Sequence, residues 1–271
     1  MNRILTKHEV RVDASSLPAD IATLLHGYTF FNLVRNYPAP TNVYRTVRAG
    51  YPNFFLKVGR YLKDEHDRLS WLENKLLLPN IVTYSLHENR EFLLLTKIAG
   101  LPADDEEWFT DIASMIEVIA EGVRTIHSLP QADCPFDASA EALMTKAERV
   151  VRFQLLNQNK LSAVYRNRTI NDLFNELIHL FPANEDIVFT HGDLCLPNII
   201  IQNQTSVGFV DLGLAGLGDP HRDLSLIVRS INRNFGEKWV RFFFDAYGHD
   251  VDKRKMEFYT LLDQFIMARK S

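Results

Sequence analysis

Asp193 and Asn198 stand a few positions apart in the run His191, Gly192, Asp193, Leu194, Cys195, Leu196, Pro197, Asn198, and Asp211 follows in the run Val210, Asp211, Leu212, Gly213. An aspartate beside an acceptor hydroxyl can take its proton. An asparagine and a second aspartate supply hard oxygen ligands, the kind Mg²⁺ takes when phosphate oxygens and water complete its shell. Phosphoryl transfer uses these parts in this chain order, with the base and the asparagine in one loop and a metal-binding aspartate further on. Taken singly, each aspartate reads as a turn or capping residue. The ordered set is what points to chemistry.

Two strands must carry Asp211 back to that loop. Ile199, Ile200 and Ile201, the turn-forming Asn203 to Ser206, and the apolar Val207 to Val210 predict a hairpin that brings Asn198 and Asp211 side by side. Upstream, Tyr28 to Arg35, Asn42 to Arg48 and Asn53 to Val58 read as strands, with Ala49 and Gly50 as a turn. Ile81 to Leu86 and Glu91 to Thr96 predict a further hairpin around His87 to Arg90. Leu69, Leu72 and Leu76 recur at helical spacing within Asp64 to Leu78, ahead of Pro79. Ala99, Gly100, Leu101 and Pro102 predict a linker, because glycine and proline interrupt the apolar period there. Beyond it the pattern turns helical. Ile112, Met115, Ile116, Ile119, Val123 and Ile126 share one face, as do Trp239, Phe242, Phe243, Ala246 and Tyr247, and both stripes read as core.

With 271 residues the chain is long enough for one large or two small folded domains. Its 46% hydrophobic and 24% charged residues are ordinary for a globular protein. The net charge of -4, with no basic tail, argues against nucleic acid as a partner. Two cysteines, Cys134 and Cys195, offer neither a disulfide framework nor a metal spacing, and no stretch approaches the length of a membrane span or a signal peptide. The expected location is cytoplasmic.

The chain resembles the aminoglycoside 3'-phosphotransferases, antibiotic kinases with a protein-kinase-like fold. The resemblance rests on Phe55, Leu56, Lys57; on Asp64, Glu65 with Arg68, Leu69, Ser70, Trp71, Leu72; on His127, Ser128 with Cys134, Pro135, Phe136; and on the loop from Thr190 to Asn198. It implies an α+β, bilobal fold, with a small β-rich nucleotide-binding lobe over residues 1–97 and a larger, mainly helical catalytic and acceptor-binding lobe over 98–271. The implied activity is ATP-dependent and Mg²⁺-requiring, with GTP as the alternative nucleotide. It moves the γ-phosphate to a hydroxyl of an aminoglycoside, 3'-type, and confers resistance. The implied partner is a small molecule, and the protein itself a monomer or weak dimer.

By the same resemblance Asp193 is the base and also touches the acceptor, Asn198 and Asp211 hold the metal, and Lys57 binds the nucleotide phosphates while Glu65, or alternatively Glu73, holds it. Thr96, Lys97 and Ile98 form a hinge that reads adenine through backbone groups. Phe55 either faces the base or is plain core. The phosphate-covering loop falls in Asn36 to Asn42, which lacks glycine and in which Pro38 and Pro40 lack N–H donors, leaving Thr41 and Asn42 as donors. His191 is assigned to orienting the loop, and Asp223 either caps a helix or bonds the loop backbone.

The resemblance also implies that Asp263 is the acceptor-binding acid, in Leu261, Leu262, Asp263, Gln264, Phe265, where the family ending usually reads Leu, Asp, Glu. Other departures affect the acceptor side. Asn157 to Ile170 contains Lys160, Arg166 and Arg168 and no acid; Asn232, Arg233 and Asn234 follow Ile231; and Leu214 replaces a frequent arginine. Two alternatives therefore stay open: a kinase of a less cationic hydroxylated small molecule, and a catalytically inactive nucleotide-binding protein. A protein kinase is disfavoured by the short distance from Asp211 to Asp223.

Overall fold

The computed structural model describes residues 7–10, 12, 17–33, 41–202 and 205–267. Contacts divide the chain into two compact units, Met1–Ala99 with Phe209–Gly213, and Gly100–Gly208 with Leu214–Lys270. The return of five late residues to the first unit is a tertiary fact that no local pattern announces.

In the first unit, six strands among the described residues form one antiparallel sheet: β1 (Lys7–Val10), β2 (Thr29–Leu33), β3 (Asn42–Val47), β4 (Phe54–Gly59), β5 (Ile81–His87) and β6 (Arg90–Thr96), in the order β1-β2-β3-β4-β6-β5. Side chains alternate across a strand. Leu56 and Val58 of β4 and Phe92 and Leu94 of β6 therefore share one face, where they pack with Phe30 of β2, with Ile21 of helix α1 (Ala19–Leu24) and with Leu25 just after it. Lys57 and its cross-strand partner Leu93 point the other way.

Helix α2 (Leu62–Trp71) packs on β4, β5 and β6, burying Leu62, Glu65 and Leu69 on one stripe. It is shorter than the leucine spacing predicts. Asn74 adopts a left-handed φ of 63°, a conformation asparagine tolerates better than most residues, and Leu76 lies beyond the helix. Its N-terminus has no cap of its own. The Glu91 carboxylate of β6 instead accepts from the Tyr61 and Lys63 amides at 2.8 and 2.6 Å.

The second unit holds β7 (Leu101–Pro102), β8 (Val188–Thr190), β9 (Ile199–Gln202), β10 (Ser206–Phe209, whose last residue falls in the first unit) and β11 (Gly216–Gly218). These pair as β10-β9-β7 and β11-β8. The expected hairpin is present as β9 and β10 but ends at Phe209, one residue early, and its turn residues 203 and 204 lie outside the described residues. The expected linker is partly a strand: Leu101 pairs with Ile201 and Pro102 with Ile200. Gly100 makes this approach feasible, since at φ 111° a Cβ would collide with the Ile201 carbonyl.

The helices of this unit are α3 (Ile112–His127), α4 (Ala140–Arg152), α5 (Ile170–Leu180), α6 (His221–Phe235), α7 (Glu237–Tyr247) and α8 (Lys253–Met267). Asp111, Ser139 and Thr169 cap α3, α4 and α5 by accepting from Ser114, Ala142 and Asp172 amides. The apolar faces of α4, α5 and α8 close one core around Leu143, Leu177, Phe258 and Leu262, while α3 packs on α7 and α6 on both α7 and α8. No helix among the described residues is long and apolar enough to cross a membrane.

Candidate active site

The loop between β8 and β9 carries His191, Gly192, Asp193 and Asn198. It is held from beneath by Asp223, which sits within α6 and is fully buried. The Asp223 carboxylate accepts from the His191 amide at 2.6 Å and the Gly192 amide at 2.8 Å, so of its two expected roles the structure shows the bond to the loop backbone. Burial pushes this carboxyl upward, but its bonds from His127 and His191 prevail and hold it below the ordinary aspartate range. Only glycine fits at position 192: φ is 81°, and a Cβ would collide with the Leu214 carbonyl oxygen. The His191 ring accepts the Asp193 amide at 3.2 Å through Nδ1, which occupies that nitrogen in shaping the loop.

Asn198 donates through Nδ2 to the Asp193 carbonyl at 2.8 Å and to its carboxylate at 3.1 Å. Because the amide is planar, this turns the Asn198 oxygen away from Asp193, leaving a hard donor directed elsewhere. The Leu196 amide, donating to the Ser230 hydroxyl at 3.2 Å, anchors the loop again on α6.

Within the first unit, Lys57 is almost wholly buried. It donates to both Glu65 oxygens, at 2.6 and 2.7 Å, and to Asp211. Burial alone disfavours its charge. The charges of Asp211 and Glu65 outweigh that and raise it above the ordinary lysine range, so the side chain stays an ammonium. Glu65, rather than Glu73, is the partner. Asp211 holds a left-handed φ of 63°.

The other expected residues are more scattered. Phe55 is half-buried on β4, opposite Leu95 of β6. Thr96 is pinned by Asn80, whose carbonyl accepts the Thr96 amide at 3.0 Å and whose amide donates to the Thr96 hydroxyl at 2.8 Å. The Lys97 amide donates to the Asn53 carbonyl at 3.3 Å, and Ile98 is buried. Thr41 is half-buried just before β3, while residues 36–40 of the expected phosphate-covering loop, including Pro38 and Pro40, lie outside the described residues.

Asp263 accepts from Arg229 Nη1 at 2.7 Å, a partner its sequence context did not suggest. Burial opposes the charge on Arg229, but Asp263, with Asp193 also in reach, raises it. Arg222 is buried below Gly192 and donates to the Leu214 carbonyl at 3.1 Å. Both arginines went unnoticed in the sequence because each sits inside the amphipathic pattern of α6. Of the basic residues in 157–170, Arg168 pairs with Glu176 at 2.5 Å and Arg166 donates to the Leu161 carbonyl at 3.2 Å.

A β-rich unit with a buried lysine between two carboxylates, and a helical unit with an Asp–Asn loop anchored on a buried aspartate, define a phosphotransferase of the protein-kinase-like class. The chain belongs to the phosphotransferase enzyme family, whose model matches residues 40–259. It is similar to an aminoglycoside 3'-phosphotransferase of Niallia circulans, 33% identical over 218 residues that cover 78% of this chain and 83% of the relative. One of Streptomyces ribosidificus is 32% identical over 252 residues, covering 87% of this chain and 95% of the relative. Among solved structures, an aminoglycoside-3'-phosphotransferase of type VIII superposes with a TM-score of 0.80 at 29% identity, covering 91% of this chain and 96% of that one. An aminoglycoside phosphotransferase of Streptomyces rimosus in complex with ADP and streptomycin does so with a TM-score of 0.72 at 29% identity, covering 83% and 90%.

Proposed function

We propose that this chain transfers the γ-phosphate of ATP to a hydroxyl of an aminoglycoside, of the 3'-type, and thereby confers resistance. The observation that carries the reading is the Asp193–Asn198 contact in a loop whose amides are tied to buried Asp223. It presents a carboxylate as proton acceptor and an amide oxygen as a hard ligand. The donor set suits Mg²⁺: Asn198 and Asp211 would each offer it a hard oxygen, of the kind this ion takes together with phosphate oxygens and water. Mg²⁺ bound with ATP supplies the charge that offsets the phosphate oxygens during transfer.

The chain's own residues divide the work. Lys57, kept charged and oriented by Glu65, binds the phosphates; the backbone of Thr96 to Ile98 and the ring of Phe55 take the base; and the Thr41 backbone reaches the phosphates. Asp193 orients the acceptor hydroxyl and takes its proton, with Asp263 on the acceptor side. The first unit is thus the nucleotide-binding part and the second the catalytic and acceptor-binding part, working on a small molecule as a monomer or weak dimer.

A cationic acceptor is supported by the local engagement of Arg166 and Arg168. The competing acceptor class, less cationic, draws support from Arg229, which offsets the charge of Asp263. ADP release, followed with aminoglycosides that carry or lack the 3'-hydroxyl, separates the two. Turnover confined to drugs bearing that hydroxyl is expected. Turnover only on neutral hydroxylated molecules would remove the aminoglycoside, and no ATP turnover on any acceptor would remove the kinase reading.

A further inference from the structure

We propose that Tyr247 is a positioning residue for the phosphoryl-transfer loop, acting through His127 and Asp223; the proposal rests on the reading of Asp193 as proton acceptor. Tyr247 closes α7, and its position in the apolar stripe of that helix reads as core. A phenylalanine would fill the same space: the ring stacks on Phe243 at 5.9 Å and 10° and meets the His127 ring edge-on at 5.9 Å and 90°. The hydroxyl is the part that packing does not explain. It lies 2.8 Å from His127 Nδ1, and the opposite nitrogen, Nε2, lies 3.2 Å from Asp223.

Burial, with Asp223 nearby, pushes the Tyr247 phenol up to about 12, so it keeps its proton, and in the proposed arrangement that proton is directed to Nδ1. A neutral imidazole has one N–H. With Nδ1 accepting, the proton must sit on Nε2, where it donates to the Asp223 carboxylate. The other tautomer would aim a lone pair at a buried carboxylate. Tyr247 thus selects the tautomer that keeps Asp223 bonded, and Asp223 spends its remaining capacity on the His191 and Gly192 amides at 2.6 and 2.8 Å, directly before Asp193. The chain Tyr247–His127–Asp223 runs from α7 through α3 and α6 to the loop, all within the second unit.

The test combines Tyr247→Phe, which keeps the ring, with His127→Gln, whose amide can donate to Asp223 without Tyr247. In the ¹⁵N spectrum of the unaltered protein, the His127 signals, assigned by their loss in His127→Gln, should show a proton on Nε2 alone, and Tyr247→Phe should shift them. The same substitution should lower kcat about fivefold while the KM for ATP stays within about twofold, as expected for coupling through a shared hydrogen-bond network. In the His127→Gln background it should change kcat by less than about twofold. An imidazolium at His127, an unshifted spectrum, or an equal effect in both backgrounds overturns the proposal, the last because it marks packing alone. Should His127→Gln fail to fold, the histidine signals that shift in Tyr247→Phe identify His127, and a spectrum in which none shifts overturns the proposal. Asp193→Asn with undiminished turnover would sink the reading of Asp193 separately, leaving the tautomer result standing.

Discussion

Lys57 and Asp211 are ion-paired although 154 positions separate them, and Glu65 takes the remaining hydrogens of the same ammonium. One positive charge therefore balances two largely buried carboxylates. Lys57→Ala leaves them facing each other without a cation, and removing one member of a buried pair costs about 3 kcal/mol or more. The expected outcome is a lowered midpoint in urea unfolding together with loss of turnover. A midpoint equal to that of the unaltered protein would show the pair to be solvated and energetically idle.

Asp193→Asn preserves the Asn198 contact in shape but cannot accept a proton. Turnover should drop by on the order of 10² or more, the usual contribution of a general base. Nucleotide affinity measured by calorimetry should hold steady, since Asp193 belongs to the acceptor side of the proposed reaction. A turnover near that of the unaltered enzyme removes Asp193 from the role.

Asp219 joins α6, α8 and the segment before β8: it accepts from His221 at 2.6 Å, from Lys255 at 2.8 Å and from the Asp186 amide at 3.1 Å. Burial works against its charge, but these bonds prevail and lower it from 3.8 to about 2. A depressed carboxyl stabilises the fold above its unfolded value and loses that contribution as pH falls through the folded one. Stability should thus decline between about pH 4 and pH 2, with this residue accounting for on the order of 2 kcal/mol. Asp219→Asn should flatten that part of the acid unfolding curve; a curve of unchanged slope would assign the acid loss to other carboxyls.

Arg229 lies against Asp263 at 2.7 Å and within the field of Asp193. Arg229→Gln removes a cation from the proposed acceptor side and takes from Asp263 its Arg229 partner. For a polycationic acceptor the KM should fall several-fold, since one unit charge at longer range is worth roughly 1 kcal/mol at an effective dielectric near 20. A KM for the aminoglycoside that rises, with a normal KM for ATP, would mean that the guanidinium orders the site more than it repels the drug.

The sequence by itself determined the family, the β-rich-then-helical order and the chemical character of the loop at 191–198, because these rest on local signals. Strand alternation, apolar spacing and a short run of polar residues are all written within a few positions of chain. The same signals put Lys57 on a strand, and the resemblance named Glu65 as its partner with Glu73 as the alternative; the contact itself is with Glu65. That choice depends on where α2 begins and on Glu91, which caps it from β6.

Tertiary structure alone decided the long-range pairings. It placed Phe209–Gly213 with the first unit, set Asp223 under the loop rather than at a helix cap, gave Asp263 to Arg229 and put the Tyr247 hydroxyl on His127. The physical reason is common to all four. Periodicity states which face of an element avoids water, but a buried polar atom must find a partner, and which partner is in reach depends on how whole elements pack.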